Sequence, residues 1–139
     1  MERLYLDSYV FLDVIFGSPK KEKAGEYLSL VQKKGATGAV SAFCLLEVKY
    51  HVMKRLGHDK AEDACYLIQS MPNLEVVAVS AEIAERAADI RFRYYDKKNR
   101  PMSFGDAVHI ATAIEARCSK IVSGENDFKS IEEIKSEIY

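Results

Sequence analysis

Two spacings of apolar residues alternate along this chain, a short continuous run typical of a buried strand and a repeat of i, i+3, i+4 and i+7 typical of a helix. The first run covers 3–7 and ends in the carboxylate of Asp7, and helical spacing follows it as far as Gly17. A second helix is predicted over 20–34, where lysines occupy the face opposite the apolar one. The chain therefore opens with one strand and two helices.

The rest of the chain continues this alternation. Further strands are predicted at 37–40, 74–79 and 119–123, with a weak final strand near Ile138. Further helices are predicted at 41–57, 58–70, 80–95 and 103–117. Serine is well placed to cap two of these helices, because Ser41 and Ser80 stand directly before helical spacing begins. A polar and basic loop at 96–101 separates the last two helices.

Strands that alternate with helices need crossover connections, and such connections place helices on both faces of a mainly parallel sheet. The predicted fold class is therefore α/β, a three-layer α/β/α sandwich around a mainly parallel sheet of four or five strands. The chain has 139 residues, and domains most often contain ~100–150. One domain that spans 1–139 is expected, since no repeat or linker divides the sequence.

Composition and charge exclude several classes of protein. Apolar residues make up 48% of the chain and charged residues 29%, as in an ordinary globular domain. Twenty basic and 21 acidic residues give a formal net charge of −1, so no general excess of positive charge holds the chain to nucleic acid or membrane. The first residues contain neither a signal-peptide core nor a membrane span. Three widely spaced cysteines favour buried thiols in a reducing cytosol, so a soluble cytoplasmic protein is expected.

Acidic residues lie near the ends of several predicted strands. Asp7 closes the first strand, Glu47 lies in the second turn of the helix after the second strand, and Asp106 begins the helix before the fourth. Glu125 and Asp127 follow the fourth strand directly. Ligands of open parallel sheets bind beyond the carboxyl ends of the strands, so these acids can converge at one edge. Clustered carboxylates raise one another's pKa or recruit a divalent cation, and hard oxygen ligands suit Mg²⁺ or Mn²⁺.

Four segments resemble, in order, the four acidic motifs of PIN-domain nucleases. Leu6-Asp7-Ser8 resembles the first motif, and Leu45-Leu46-Glu47-Val48 resembles the second. Residues 106–113, an aspartate followed by a helix of small residues, resemble the third motif. The fourth, usually written Thr-x-Asp-x-Asp-Phe, is resembled by 121–128. The resemblance covers essentially the whole chain and is especially close to the small VapC-type toxins of type II toxin–antitoxin pairs.

The resemblance implies a ribonuclease in which Mg²⁺ or Mn²⁺ activates the water that hydrolyses an RNA phosphodiester bond. Carried over motif by motif, the catalytic residues are Asp7, Glu47, Asp106 and Glu125. The metal ligands are the same four together with Asp127. The resemblance further implies a homodimer, a small antitoxin protein bound in a groove near the first helices, and no membrane partner.

Five further residues are expected to contact the RNA. Ser8 and Ser123 adjoin the first and fourth motifs and are placed to orient the phosphate, although they equally fit a helix cap and a turn hydroxyl. Lys97, Lys98 and Arg100 lie just ahead of the third motif, in the basic loop. Lysine clusters of this kind are more often solvated faces, so the position of the loop decides between the two interpretations.

Two departures from the family pattern leave other functions open. Tyr9 stands where the family usually has Ser or Asn, and Glu125 stands where Asp is usual. A PIN nuclease for RNA processing outside toxin–antitoxin systems is one alternative, and a non-catalytic RNA-binding module of the same fold is another. A metal-dependent phosphatase of another α/β fold is disfavoured, because no second carboxylate lies two positions after Asp7.

Each acidic residue also has a purely structural interpretation. Asp7 fits the N-cap of the first helix, and Asp106 fits a first helical turn, where the helix dipole favours negative charge. Glu47 fits a solvated helix residue or the ion-pair partner of a nearby lysine. His109 lies three residues after Asp106, within reach of the cleft, but such a histidine is more often a half-buried packing residue, and it is left out of the catalytic set.

Overall fold

The computed structural model describes all 139 residues and contains five strands and six helices. The strands are β1 (Arg3–Leu6), β2 (Thr37–Ser41), β3 (Leu74–Val77), β4 (Lys120–Ser123) and β5 (Lys135–Ile138). The helices are α1 (Ser8–Phe16), α2 (Lys21–Gln32), α3 (Ala42–Leu56), α4 (His58–Ser70), α5 (Ala81–Tyr94) and α6 (Phe104–Glu115). One turn of 3₁₀ helix, Asn126–Phe128, connects β4 to β5.

The five strands form one sheet in the order β3-β2-β1-β4-β5, and every neighbouring pair is parallel. Side chains of β1 alternate between its two faces, as the period of a strand requires. Leu4 and Leu6 belong to the core formed with α1 to α4, whereas Tyr5 belongs to the core formed with α5 and α6. Helices therefore cover both faces, and the predicted three-layer α/β/α sandwich is confirmed.

Serine caps fix where three of the helices begin. Ser41 Oγ accepts a hydrogen bond from Phe43 N at 3.0 Å, and Ser80 Oγ accepts one from Ile83 N at 3.1 Å. Ser103 caps α6 in the same way. Each cap satisfies a backbone N–H that has no partner within its own helix. The predicted starts after Ser41 and Ser80 are thus confirmed.

Other boundaries differ from the prediction for identifiable reasons. The strand predicted at 74–79 ends at Val77, because Val77 pairs with Ser41, where β2 itself ends. The helix predicted to reach 117 ends at Glu115, and Arg117 adopts a left-handed φ of 57°, which a continuing helix excludes. The weak strand expected near Ile138 is present as β5.

The structure also shows how far the cysteine thiols are buried and whether any helix could span a membrane. All three thiols are free, but only Cys44 is buried, whereas Cys65 and Cys118 are half-buried. The expectation of three buried thiols is therefore wrong for two of them, since Cys65 lies on a partly exposed part of α4 and Cys118 lies in the turn between α6 and β4. None of the six helices combines the length and the apolar content that crossing a bilayer requires.

Candidate active site

Asp7 lies at the carboxyl end of β1, in the middle of the sheet. Its backbone N–H donates to Val122 O at 3.0 Å, which places it beside the end of β4. Ser123 Oγ donates to Asp7 Oδ2 at 2.9 Å. Asp7 occupies the N-cap position of α1, but its side chain makes no capping hydrogen bond. The carboxylate is therefore directed at the sheet edge, and the interpretation of its side chain as a helix cap is wrong.

Burial perturbs this carboxylate strongly, since Asp7 is only 3% exposed. Burial, and to a smaller extent the charges of Glu47 and Asp106, raise the pKa of Asp7 to about 6. His109 and the hydrogen bond from Ser123 act in the opposite direction. The charges of Glu47 and Asp106 therefore act on the carboxylate of Asp7.

His109 lies at the centre of the site and is fully buried. Its Nδ1 lies 2.5 Å from the hydroxyl of Tyr5, and its Nε2 lies 2.5 Å from Glu47 Oε1. The Tyr5 hydroxyl accepts a hydrogen bond from Ser41 N at 3.0 Å, so its proton is available to Nδ1. This pattern assigns the proton of neutral His109 to Nε2, from which it is donated to Glu47. The same Nε2 lies 3.9 Å from Asp7 Oδ1.

His109 was expected to be a half-buried packing residue, and this expectation is wrong. Burial on its own lowers the pKa of His109, but the hydrogen bond to Glu47 and the charges of Asp7, Glu47 and Asp106 together raise it above the ordinary value. The available signal was its position one helical turn after Asp106, within an otherwise apolar stretch. Such a histidine faces either the core or the acids, and here it faces both.

The side chain of Glu47, on α3, contacts two hydrogen-bond donors from other helices. Ser8 Oγ donates to Glu47 Oε1 at 2.6 Å, and His109 Nε2 contacts the same oxygen. Burial alone raises the pKa of Glu47, but the contacts with His109 and the hydrogen bond from Ser8 outweigh it and lower the pKa. The alternative that Glu47 pairs with a lysine is wrong, because Lys49 pairs with Glu62 at 2.9 Å. Ser8 thus serves the second acidic residue rather than a helix cap.

Asp106 combines a structural position with proximity to the other acids. It forms a capping box, in which Ser103 Oγ accepts from Asp106 N and Asp106 Oδ2 accepts from Ser103 N. Burial raises the pKa of Asp106, the hydrogen bonds from Ser103 lower it, and the charge of Asp127 raises it further. The first-turn interpretation of Asp106 is therefore confirmed, and it does not remove the residue from the site.

Gly105 allows α6 to approach α3 closely at this point. A Cβ atom at position 105 would lie 2.7 Å from the ring of Phe43 and 3.6 Å from Glu47 Oε2. Contacts below 3 Å between carbon atoms are strongly repulsive, so a larger residue would push the start of α6 away. The absence of a side chain thus keeps Asp106 and Glu47 at the same edge of the sheet.

The two acids of the fourth motif have different surroundings. Asp127 is half-buried, and its charge contributes to the raised pKa of Asp106. Glu125 is exposed, and its charge contributes to the raised pKa of Tyr9, for which burial is the larger cause. The charge of Asp127 therefore acts on an acid of the predicted site, whereas that of Glu125 acts on Tyr9. The role assigned to Glu125 in the active site stays a prediction.

The predicted RNA-contacting cations lie on the loop between α5 and α6. Lys97 and Lys98 are exposed, and Arg100 donates to Lys129 O at 2.6 Å. None of the three forms an ion pair with an acidic residue. A cation that the sequence left on a solvated face, Lys20, instead donates to Gly124 O at 2.6 Å. Lys20 lies in a cleft beside the fourth motif, which forms where the turn before α2 meets the end of β4.

The donor set suits a divalent cation by its chemistry. Asp7, Glu47, Asp106 and Asp127 are all oxygen ligands of the kind that Mg²⁺ and Mn²⁺ prefer. None of the four forms an ion pair with lysine or arginine, and the nearest cationic partner of any of them is His109. As the side chains stand, however, no group of three or more His, Cys, Asp or Glu residues is arranged to hold a metal ion.

Comparison with known proteins identifies the family and the fold. The family model described as the PIN domain matches residues 4–134. Among solved structures, VapBC2 from Rickettsia felis, bound to a promoter DNA fragment, has a TM-score of 0.75 at 21% identity, with 98% of each chain covered. DNA-bound VapBC from Salmonella typhimurium has a TM-score of 0.73 at 20% identity, covering 99% of this chain and 98% of the other.

A third similar structure is that of a toxin with a named target. VapC20 from Mycobacterium tuberculosis, described as a toxin that cleaves the sarcin-ricin loop, has a TM-score of 0.69 at 21% identity. The alignment covers 85% of this chain and 86% of that one. No curated protein sequence matches the chain at a significant level. Likeness at these identities concerns the fold, which all three structures share with this chain.

Proposed function

The chain belongs to the PIN-domain family, and from this premise we propose that it is a metal-dependent endoribonuclease and a toxin of the VapC type. It hydrolyses phosphodiester bonds of RNA with water and requires Mg²⁺ or Mn²⁺. The observation that carries this proposal is that Asp7 and Glu47 lie 3.9 and 2.5 Å from the same His109 nitrogen. The start of α6, which carries Asp106, approaches Glu47 at Gly105, and none of these three acids has a lysine or arginine partner. Such a set needs a cation to offset its charge.

The chain's own residues hold the acids in place. Ser123 orients Asp7, Ser8 and His109 orient Glu47, and the capping box orients Asp106. A bound Mg²⁺ or Mn²⁺ would activate a water and neutralise charge that develops on the phosphate. Since no three acids are arranged to hold an ion as they stand, loading includes a movement of side chains. Asp7, Glu47 and Asp106 are the proposed ligands, with Asp127 ahead of Glu125 as the fourth.

An antitoxin and a second copy of the chain are the proposed protein partners. A groove of about 200 Å³ between α1, α2 and α4 is lined almost entirely by apolar side chains, among them Phe11, Leu28 and Ile68. Leu46 and Tyr50 of α3 are also largely exposed. Exposed apolar surface of this kind marks protein interfaces. Support for the antitoxin also comes from the VapBC assemblies among the similar structures.

The cytoplasm is the proposed location. The three cysteines are free thiols, which persist where thioredoxin and glutathione keep cysteine reduced.

The proposed function is tested by incubating the purified protein with total cellular RNA in Mn²⁺, in Mg²⁺ and in EDTA. Discrete RNA fragments in either metal, and none in EDTA, are expected. Binding of RNA without cleavage in any metal would contradict a nuclease and favour the non-catalytic RNA-binding alternative. Cleavage that EDTA leaves unchanged would contradict the metal requirement.

A further inference from the structure

A stack of two aromatic rings around one arginine stands beside the start of α6. The guanidinium carbon of Arg91 lies 4.2 Å from the ring centre of Tyr95 and 4.2 Å from that of Phe104. Arg91 Nε also donates to Met102 O at 3.1 Å, which fixes the guanidinium between the rings. We call Tyr95, Arg91 and Phe104 the stacking platform. It is held together by cation–π contacts and one backbone hydrogen bond, so it is formed before any ligand arrives.

The rings of the platform are open to solvent. Phe104 is 74% exposed and Tyr95 is 42% exposed, although phenylalanine is a residue that folding normally buries. Phe104 cannot be needed for the core, because most of its surface contacts no other part of the chain. An exposed ring that is rigidly supported from one side is suited to receive a planar group on the other.

Several cations lie close to the platform along the chain and have no acidic partner. Arg91, Lys97, Lys98 and Arg100 lie within ten residues of one another, and none of them forms an ion pair. The one carboxylate of the loop, Asp96, accepts hydrogen bonds from the backbone N–H groups of Lys98 and Asn99. These bonds lower the pKa of Asp96 and occupy its carboxylate, so it leaves the lysines free. Free cations next to aromatic faces match the phosphates and bases of a nucleic-acid strand.

The platform is continuous with the acidic site. Phe104 precedes Asp106 by two residues, so their Cα atoms are less than ~8 Å apart. Gly105 between them approaches Glu47. Residues two apart on a helix lie roughly 200° apart around its axis, so Phe104 and Asp106 project from different sides of the first turn of α6. A strand that crosses this turn with a phosphate at the acids brings a neighbouring base within reach of the rings.

We propose that the stacking platform binds an unpaired nucleobase of the RNA next to the cleaved phosphate, with Phe104 as the stacking face and Lys97 and Lys98 on the flanking phosphates. This inference rests on the proposed function, since it takes RNA as the substrate. It predicts a preference for single-stranded RNA, because bases in a duplex are already stacked on their neighbours. A second copy of the chain is the other occupant that an exposed aromatic face could take.

The test measures binding in EDTA, where the proposed hydrolysis cannot occur. The probes are a fluorescein-labelled pool of 12-nucleotide single-stranded RNAs of random sequence and a labelled 12-base-pair RNA duplex. Phe104→Ala and Phe104→Leu are expected to weaken single-strand binding by ~5-fold or more and to leave duplex binding nearly unchanged. Replacing Lys97 and Lys98 by alanine is expected to weaken both, because phosphate contacts do not distinguish the two probes.

Phe92 provides a matched control. It is an exposed phenylalanine, 93% accessible, on the same helix as Arg91, and it has no part in the platform. Phe92→Ala is expected to bind both probes as the wild type does. The platform would be overturned by equal single-strand affinities of Phe104→Ala, Phe92→Ala and the wild type. It would also be overturned if the wild type bound neither probe. A Phe104→Ala protein that changes its sedimentation from dimer to monomer with unaltered RNA affinity would overturn it in favour of a second copy.

Failure of the platform and failure of the proposed function give different results. Wild-type protein that shows Phe104-dependent binding in EDTA but no cleavage in Mn²⁺ supports the platform and contradicts the nuclease. Cleavage in Mn²⁺ with the same KM for wild type and Phe104→Ala contradicts the platform and supports the nuclease.

Discussion

Nε2 of the buried His109 lies 2.5 Å from Oε1 of Glu47, so one contact joins α6 to α3 in the middle of the acidic site. On its other side the imidazole contacts the hydroxyl of Tyr5. Both ring nitrogens are therefore satisfied by residues far away in sequence. The contact positions Glu47 and also stabilises the fold, and the two roles can be measured separately.

Replacing His109 by alanine is expected to lower the free energy of unfolding by about 2–4 kcal/mol. The change leaves a cavity, and it removes the partners of two polar groups that are largely shielded from water, Tyr5 and Glu47. Urea denaturation followed by circular dichroism measures this loss. His58→Ala is the matched control, since the His58 side chain is 66% exposed. Equal stabilities for the two variants would contradict the central position of His109.

Replacing Asp7 by asparagine is expected to stabilise the metal-free protein at pH 7.5. The pKa of Asp7 rises from 3.8 to about 6 on folding, so the folded state favours the protonated carboxyl. The resulting contribution to the free energy of unfolding is complete below pH 3.8 and is lost as the pH rises through 6. The variant avoids this loss, which amounts to about 3 kcal/mol at most. Urea denaturation in EDTA should show the advantage at pH 7.5 and little of it near pH 4. A variant less stable than the wild type at pH 7.5 would contradict the account.

Divalent metal is expected to raise the melting temperature of the wild type. An ion that binds only the folded state stabilises it by mass action, and saturating Mn²⁺ at 100 times Kd is worth ~2.7 kcal/mol. Asp7→Asn and Asp106→Asn should lose most of this increase, while Asp89→Asn, an exposed aspartate on α5, should keep it. Scanning calorimetry with and without Mn²⁺ makes the comparison. The same increase in all four proteins would place the ion elsewhere.

Within the fourth motif, Asp127→Asn is expected to weaken Mn²⁺ binding more than Glu125→Gln. The charge of Asp127 acts on Asp106, whereas the charge of Glu125 acts on Tyr9. Each substitution removes one charge and keeps the shape of the side chain, so the pair is closely matched. Isothermal titration gives both affinities, and a larger loss for Glu125→Gln would reverse the assignment made from the structure.

Much of the fold could be predicted, because strand and helix periods and serine caps are local signals. Ser41 and Ser80 mark helix starts from the sequence alone, and the structure places both as predicted. The end of β3 could not be predicted in this way, since it depends on where β2 stops. Pairing partners are a property of the sheet and not of the strand's own residues.

The acids of the site could be named from motifs, but their partners could not. Asp7 interrupts an apolar stretch near the start of the chain, which is visible in the sequence. That Ser123 donates to Asp7, and His109 to Glu47, depends on segments brought together from 116 and 62 residues away. The sequence likewise could not separate Glu125 from Asp127, because their difference lies in burial. Contacts between distant segments decide these roles.

The rate of RNA cleavage in saturating Mn²⁺, compared between the wild type and Asp7→Asn, Asp106→Asn and Asp89→Asn, decides whether these acids form a nuclease site. Asparagine at position 106 can still accept the hydrogen bond from Ser103, so the capping box survives and the charge alone is removed. We predict that Asp89→Asn cleaves as the wild type does and that the other two lose ~100-fold or more. Wild-type rates in both Asp7→Asn and Asp106→Asn would contradict the proposed nuclease site.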